Sequence, residues 1–164
     1  MISENIAFSF IVDIRPRFAY QAWHLTHSII QHCCVNPNQI YLQFTPEVDA
    51  RTIDIFKSIG CNVAIIERFG DGKYCNEIAQ WDQLTSVTAD HFIFLDTDTI
   101  LVENCCNILP PNKISAKSVD LANPSIEILS QIFTAAGFVV PPKLCKVEAS
   151  EDFTYIGNCN GGMY

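Results

Sequence analysis

Two aspartates follow a short apolar run in the stretch FIFLDTDTIL, residues 92–101. Along an extended backbone, residues i and i+2 project to the same side, so Asp96 and Asp98 would aim both carboxylates into one space. Two carboxylates with open remaining positions suit Mn²⁺ or Mg²⁺ bridging to phosphates better than they suit zinc. The simpler alternative is an acidic, solvated turn after a strand, because Asp is common in turns.

The segments around these aspartates alternate between strand and helix patterns. Apolar runs predict five strands, over residues 6–12, 39–44, 62–67, 92–96 and 117–122. Apolar residues at helical spacing predict a helix after each of the first three strands and another after the fifth. This order is typical of a three-layer α/β/α fold with a mainly parallel sheet, whose ligands collect beyond the carboxyl ends of the strands. Asp96 and Asp98 lie at one of those ends.

Local signals predict where the helices begin, end and face the core. For the second helix, Thr45 is predicted as the cap, Pro46 as the first helical residue and Gly60 as the residue that ends it. The first helix is expected to bury Phe18, Ala22, Leu25, Ile29 and Cys33. The third helix is expected to place on one side Tyr74, Ile78, Trp81 and Leu84.

Composition excludes several classes of protein. The chain has 164 residues, 49% of them hydrophobic, which suffices for one domain with a real core. Its formal charge is −8, and its ten Lys and Arg residues never form a run, so neither nucleic acid nor an anionic membrane surface is an expected partner. No apolar run reaches the ~20 residues of a transmembrane segment.

The eight cysteines include two adjacent pairs, Cys33-Cys34 and Cys105-Cys106. No Cys/His spacing typical of a zinc site is present, and the N-terminal residues lack the basic region of a signal peptide. We therefore expect reduced, mostly buried thiols in a cytoplasmic protein.

The stretch YCNEIAQWDQLTSVTADHFIFLDTDTILV resembles the nucleotide-sugar-dependent glycosyltransferases of the GT-A fold, in which a helix leads into an apolar strand that ends in a D-x-D motif. The stretch FSFIVDIRPRFAYQAWHLTHSI resembles the first strand and helix of that family, and YIGNCNGGMY resembles its late Asn-Gly segment. The resemblance implies a GT-A-type fold with one nucleotide-sugar-binding donor domain over residues 1–164. We expect this domain to be part of a longer chain that continues C-terminally.

The same resemblance implies a metal-dependent, hexosyltransferase-like enzyme. Its donor would be a nucleoside diphospho-sugar, with a UDP-sugar favoured and a GDP-sugar as the other candidate. Its acceptor would be the hydroxyl of a glycan or of another molecule. Asp96 would contact the ribose or the metal, and Asp98 would coordinate the Mn²⁺ or Mg²⁺ that bridges the two phosphates.

Further site residues are implied with less specific patterns. The residues expected at the donor are Val12, Asp13, Arg15, Lys73, Asn76 and Thr97. On the sugar and acceptor side they are Asn160, Gly161 and Gly162. Each has a simpler alternative: a cap and a surface charge for Asp13 and Arg15, a solvated lysine for Lys73, and an ordinary turn for the Asn-Gly pair.

One position departs from the family pattern. Many relatives carry Asn-Lys where this chain has Asn76-Glu77, and Lys73, four residues before Glu77, is the possible substitute. Glu77 therefore keeps open a catalytically impaired nucleotide-sugar-binding domain. No general base is assigned, and His24, His27 and His32 are expected on a packed or solvated helix face rather than at a metal.

Two other enzyme classes fit the sequence less well. A haloacid-dehalogenase-like phosphatase also has an apolar run before D-x-D, but its motif requires Thr or Val two residues after the second Asp, where this chain has Ile100. A nucleotidyltransferase would need a Gly-rich loop after the first strand, and VDIRPRF contains no glycine.

Overall fold

Four apolar segments pair into one parallel sheet in the computed structural model, which describes residues 5–72, 76–109 and 112–159. In chain order the strands are β1 (Ile6–Val12), β2 (Ile40–Phe44), β3 (Asn62–Ile65) and β4 (His91–Phe94). Their order across the sheet is β3-β2-β1-β4, and every neighbouring pair is parallel. A mixed α/β fold with a parallel four-stranded sheet is therefore confirmed.

The connections between these strands are helical. They are α1 (Pro16–Cys33), α2 (Ala50–Ile59) and α3 (Asn76–Leu84), with a short 3₁₀ helix at Pro37–Gln39. A second 3₁₀ helix, Cys105–Ile108, follows β4. Consecutive residues of β2 show that helices cover both faces of the sheet, because Phe44 packs on Phe56 of α2 with ring centroids 5.6 Å apart while Gln43 meets Ser9 on the other face. Ser9 in turn contacts Gln80 of α3.

The core lies on the face of the sheet that α2 covers and on the buried stripe of α1. The largest side chains there include Phe8, Phe10, Phe44 and Phe56, each at most 1% exposed. Almost all of β1 is buried because it has a strand on each side and helices over both faces. On α1, four of the five predicted core residues are buried, and Phe18 is partly exposed.

The start of α2 differs from the prediction. Helix α2 begins at Ala50 rather than after Thr45, because Asp49 accepts from the Thr52 N–H at 3.0 Å and caps it. The end at Gly60 is confirmed, with φ +101° in the left-handed region.

The core face of α3 also differs from the prediction. Leu84 is buried, but Ile78 and Trp81 are more than half exposed. Ala79 and Gln80 face the sheet instead, because the Gln80 amide oxygen accepts from the Ser9 hydroxyl at 2.6 Å. Tyr74 lies outside the described residues.

The chain divides into two compact units, Met1–Asn112 and Lys113–Tyr164. The second unit contains α4 (Ile126–Ala135), which Ser125 caps, and an antiparallel pair of β5 (Leu144–Lys146) and β6 (Phe153–Tyr155). The strand predicted over residues 117–122 is wrong, because Ser118 forms only an isolated bridge to Cys159. A single donor domain over residues 1–164 stays a prediction.

Among the helices that the structure describes, none combines the length and the hydropathy that crossing a bilayer would require.

Candidate functional site at the carboxyl edge of the sheet

The strand order creates a switch point between β1 and β4. From β1 the chain moves outward to β2 and β3, then crosses back and adds β4 on the other side of β1. Ser9 lies opposite Phe94, so both strands end at the same edge of the sheet. Crevices at such switch points are the usual ligand sites of open α/β sheets. Asp13 follows β1 there, and Asp96 follows β4.

The backbone bends directly after β4. The Leu95 N–H donates to the Ser9 carbonyl at 3.0 Å, and the Thr99 N–H donates to the Asp96 carbonyl at 3.0 Å, which closes a turn over residues 96–99. The expected extended course through Asp98 is therefore wrong. Asp96 is half-buried, Thr97 is buried and Asp98 is exposed.

Asp96 lies among other acids. Burial, the charges of Glu77 and Asp98, and a hydrogen bond with Glu77 raise the pKa of Asp96 from 3.8 to about 6. Glu77 belongs to the first turn of α3. The rest of α3, a loop and β4 separate it from Asp96 along the chain. The residue that departs from the family pattern is thus a direct partner of Asp96, and three carboxylates share one region of the edge.

The chemistry of these donors fits a hard divalent cation. In the part of the chain that the structure describes, no set of three His, Cys, Asp or Glu ligand atoms within 4.8 Å of one another includes Asp96 or Asp98. Mg²⁺ and similar ions are commonly held by one or two carboxylates together with water and substrate phosphates. The pair therefore fits Mn²⁺ or Mg²⁺ that is shared with a phosphate ligand, and does not fit a closed zinc site.

A cleft of about 310 Å³ opens between α1 and the turn after β4. It is lined by Tyr20, Gln21, His24, Thr97, Asp98 and Ile100. Its volume lies at the lower end of the range of small-molecule sites, about 300–1,000 Å³. The cleft therefore brings Asp98 together with side chains of α1 that no sequence motif marks.

The α1 wall of the cleft combines aromatic rings with an unused acceptor. The His24 ring packs edge-on against Tyr20 and Trp23, with centroids 4.4 and 5.0 Å apart. The Oε1 atom of Gln21 is buried and accepts no hydrogen bond from the described residues. A buried acceptor without a partner is costly to the fold.

Asp13 is fixed by three donors at its Oδ1 atom. They are the Ile14 N–H at 2.7 Å, the Thr45 hydroxyl at 2.8 Å and the Arg68 guanidinium at 2.9 Å. Partial burial alone would raise the pKa of Asp13, but these hydrogen bonds outweigh it and the pKa lies below its usual value. Asp13 is therefore a carboxylate whose Oδ2 atom accepts no hydrogen bond from the described residues.

Arg68 is a cation at this edge that sequence reasoning missed. Besides Asp13, its guanidinium binds Glu47 in a bidentate pair, with N–O distances of 3.0 and 2.8 Å, and donates to the Gly72 carbonyl. The hydrogen bond from Arg68 also lowers the pKa of Glu47. Arg68 thereby joins segments that follow all three strands on this side of the switch point.

The other predicted donor residues have different environments. Val12 is fully buried at the end of β1, and its carbonyl accepts from the Thr45 N–H at 3.1 Å. Arg15 is exposed at the cap of α1. Asn76 is buried, and its amide binds the Phe69 N–H at 2.9 Å and the Gly72 carbonyl at 3.0 Å.

Four predicted site residues lie outside the described part of the chain. They are Lys73, Asn160, Gly161 and Gly162. Their roles stay predictions, as do those of the described site residues.

No protein-family model matches the chain, and no curated protein is significantly similar to it. Among solved structures, it is similar to the glycosyltransferase GlyE of Streptococcus pneumoniae TIGR4, with 18% sequence identity and a TM-score of 0.43. The match covers 73% of this chain and 31% of that one.

Proposed function

We propose that this chain binds a nucleoside diphospho-sugar at the carboxyl edge of its sheet and transfers the sugar to a hydroxyl acceptor with the help of a divalent cation. The observation that carries the proposal is the position of Asp96 and Asp98 at the switch point, with Asp98 in the wall of a cleft. A UDP-sugar is the favoured donor and a GDP-sugar the alternative. The preference for UDP rests on the sequence resemblance.

The cation would be Mn²⁺ or Mg²⁺, held by Asp96 and Asp98. Burial and the charges of two other acids raise the pKa of Asp96, and a divalent cation there would offset both effects. When bound, the cation supplies electrostatic stabilisation of the departing nucleoside diphosphate. The buried Thr97 between the two aspartates anchors the turn that presents them.

The nucleotide would lie on the β1 side of the switch point. Asp13 has its Oδ1 atom held by Thr45 and Arg68, so its orientation is fixed and Oδ2 can accept from a ribose hydroxyl or a base N–H. The exposed Arg15 guanidinium provides a positive charge for a phosphate.

The sugar and the acceptor would occupy the cleft beside α1. Tyr20 offers a ring face for an apolar sugar face, and Gln21 lies beside it in the lining. His24 lies in the same cleft, and we assign it to receive the proton of the attacking hydroxyl, because imidazole is the commonest general base in enzymes.

Binding without turnover is the second candidate function. Glu77 favours it, because a third acid beside Asp96 adds negative charge where a diphosphate would approach. A domain with this arrangement would depend on the cation to hold the nucleotide-sugar.

The test is donor hydrolysis by the purified chain. Release of UDP or GDP from a panel of nucleotide-sugars is measured with Mn²⁺ and with EDTA, for the wild type, Asp98→Ala and the control Asp82→Ala, which removes an exposed acid of α3. Mn²⁺-dependent release that only Asp98→Ala abolishes supports the transferase. Binding of the nucleotide without release supports the second candidate, and neither binding nor release contradicts both.

A further inference from the structure

Three cysteine thiols converge at the C-terminal end of α1. The Cys33 and Cys105 sulfurs are 3.7 Å apart, and together with Cys106 all three Sγ atoms lie within 4.8 Å of one another. Cys33 is buried, and the other two are half-buried. The cluster joins residues 72 positions apart, so no local spacing in the sequence predicts it.

The distances between the sulfurs suit a shared metal ion. With Zn–S bonds of about 2.3 Å, two sulfurs of a tetrahedral site lie roughly 3.8 Å apart. The Cys33–Cys105 distance of 3.7 Å has this value, and it is far longer than the roughly 2.05 Å of a disulfide bond. Thiolate sulfur is also the ligand that soft and borderline d¹⁰ cations prefer.

The two chain segments that carry the three cysteines are both held in place by secondary structure and hydrogen bonds. Cys33 ends an 18-residue helix. Cys106 belongs to the 3₁₀ helix Cys105–Ile108, and its N–H donates to the Asn104 side chain at 2.9 Å. Upstream, the Leu101 N–H donates to the Ser28 hydroxyl of α1 at 3.2 Å, so the segment that carries Cys105 is already tied to α1. The thiols are therefore brought together before any ion binds.

We propose that Cys33, Cys105 and Cys106 form a three-thiolate site for one d¹⁰ cation such as Zn²⁺, with a fourth position for water. The bound ion would fasten the segment that follows Asp98 to the end of α1. Burial and the neighbouring thiols raise the pKa of Cys105 to about 11 and that of Cys106 to about 12, so the ion displaces their protons when it binds. This site is independent of the proposed transferase activity.

The test uses Cd²⁺ as a spectroscopic probe. The full chain is reduced, freed of metal and titrated with Cd²⁺, and thiolate-to-metal charge transfer is followed in the ultraviolet together with the stoichiometry by native mass spectrometry. The wild type is expected to bind one ion through its thiolates, so that the thiolate band reaches its full intensity with one ion at this site. Cys106→Ser and Cys33→Ser are expected to weaken this binding by at least about 100-fold.

The controls separate this site from other thiols and from the aspartates. Cys34→Ser removes the exposed thiol next to Cys33, Cys61→Ser removes a buried thiol elsewhere, and Asp98→Ala removes a carboxylate of the other proposed site. All three are expected to keep the thiolate band and its affinity. Circular dichroism identifies any variant that fails to fold. If Cys33→Ser fails to fold, Cys106→Ser, which changes a less buried residue, carries the test. No thiolate band in the wild type, or an unchanged band in a folded Cys106→Ser variant, overturns the proposal.

Discussion

The Asp96 carboxylate is expected to destabilise the free protein at neutral pH. Its pKa is raised from 3.8 to about 6, because it is half-buried beside Glu77 and Asp98. The folded state therefore binds its proton more tightly than the unfolded chain does. The favourable contribution of this group is complete below about pH 4 and is lost as the pH rises to about 6.

Replacement of Asp96 by Asn should then stabilise the protein in EDTA at pH 7. A pKa rise of this size corresponds to about 3 kcal/mol for a fully buried group. Because Asp96 is only half-buried and solvent screens its neighbours, we expect about 1–2 kcal/mol. In a protein of this length that is roughly 2–8 °C in Tm. The Asn amide can still donate to Glu77, so the hydrogen bond between the two residues is retained.

The assay is thermal or urea unfolding of Asp96→Asn and wild type between pH 4.5 and 7.5. The stability difference should shrink toward the acid end, and saturating Mn²⁺ should reverse its sign, because only the wild type gains from the cation. The exposed Asp82→Asn variant should stay within about 0.5 kcal/mol of the wild type. A destabilised Asp96→Asn protein in EDTA, or a difference that does not change with pH, would refute the reasoning.

Three further predictions concern two residues of the proposed site and one residue of the core. Mn²⁺ binding weakens as acid protonates Asp96, and Glu77→Gln should shift this loss to lower pH by up to about one unit. The reason is that the variant removes one of the charges that raise the pKa of Asp96. Mn²⁺ titrations at several pH values measure the shift. His24→Gln should reduce turnover about 100-fold or more and leave nucleotide binding within about twofold, measured by steady-state kinetics and calorimetry. Phe56→Ala should lower the free energy of unfolding, measured by urea denaturation, by about 3–5 kcal/mol. The reason is that Phe56 is only 1% exposed and its ring packs on Phe44 of β2.

Two of these variants, His24→Gln and Phe56→Ala, have a matched control in the same helix. His27→Gln changes a histidine of α1 that packs on Trp23 outside the cleft lining, and it should leave turnover unchanged. Ile55→Ala changes a residue of α2 that is 49% exposed, and it should cost less than about 1 kcal/mol. Equal losses in either matched pair, or a Glu77→Gln variant with unchanged pH dependence, would contradict the assigned positions.

The framework of the fold was readable from local patterns. Strand β1 has the predicted bounds, and Gly60 ends α2 as expected. The start of α2 was not readable, because Thr45 has the chemistry of a cap but its hydroxyl is used by Asp13, 32 residues earlier. The face of α3 was missed for a similar reason, since the Ser9 hydroxyl draws Gln80 toward the sheet.

The partners of the site residues depend on topology and not on spacing. Asp96 and Asp98 were marked by their own motif, but their neighbours Glu77 and His24 come from helices far away in the sequence. Arg68 gave no signal, because an arginine after a strand is an ordinary surface residue until the sheet order places it beside Asp13. Glu77 was noticeable only as a departure from the resembling family.

The central claim is that the carboxyl edge binds a nucleoside diphosphate through a cation on Asp96 and Asp98. The most direct measurement is calorimetric titration of the chain with UDP and with GDP, in Mn²⁺ and in EDTA. We predict binding of at least one nucleotide in Mn²⁺, loss of that binding in EDTA and in Asp98→Ala, and its retention in Asp82→Ala. Nucleotide binding that is unchanged in Asp98→Ala, or no binding of either nucleotide in Mn²⁺, would contradict the claim.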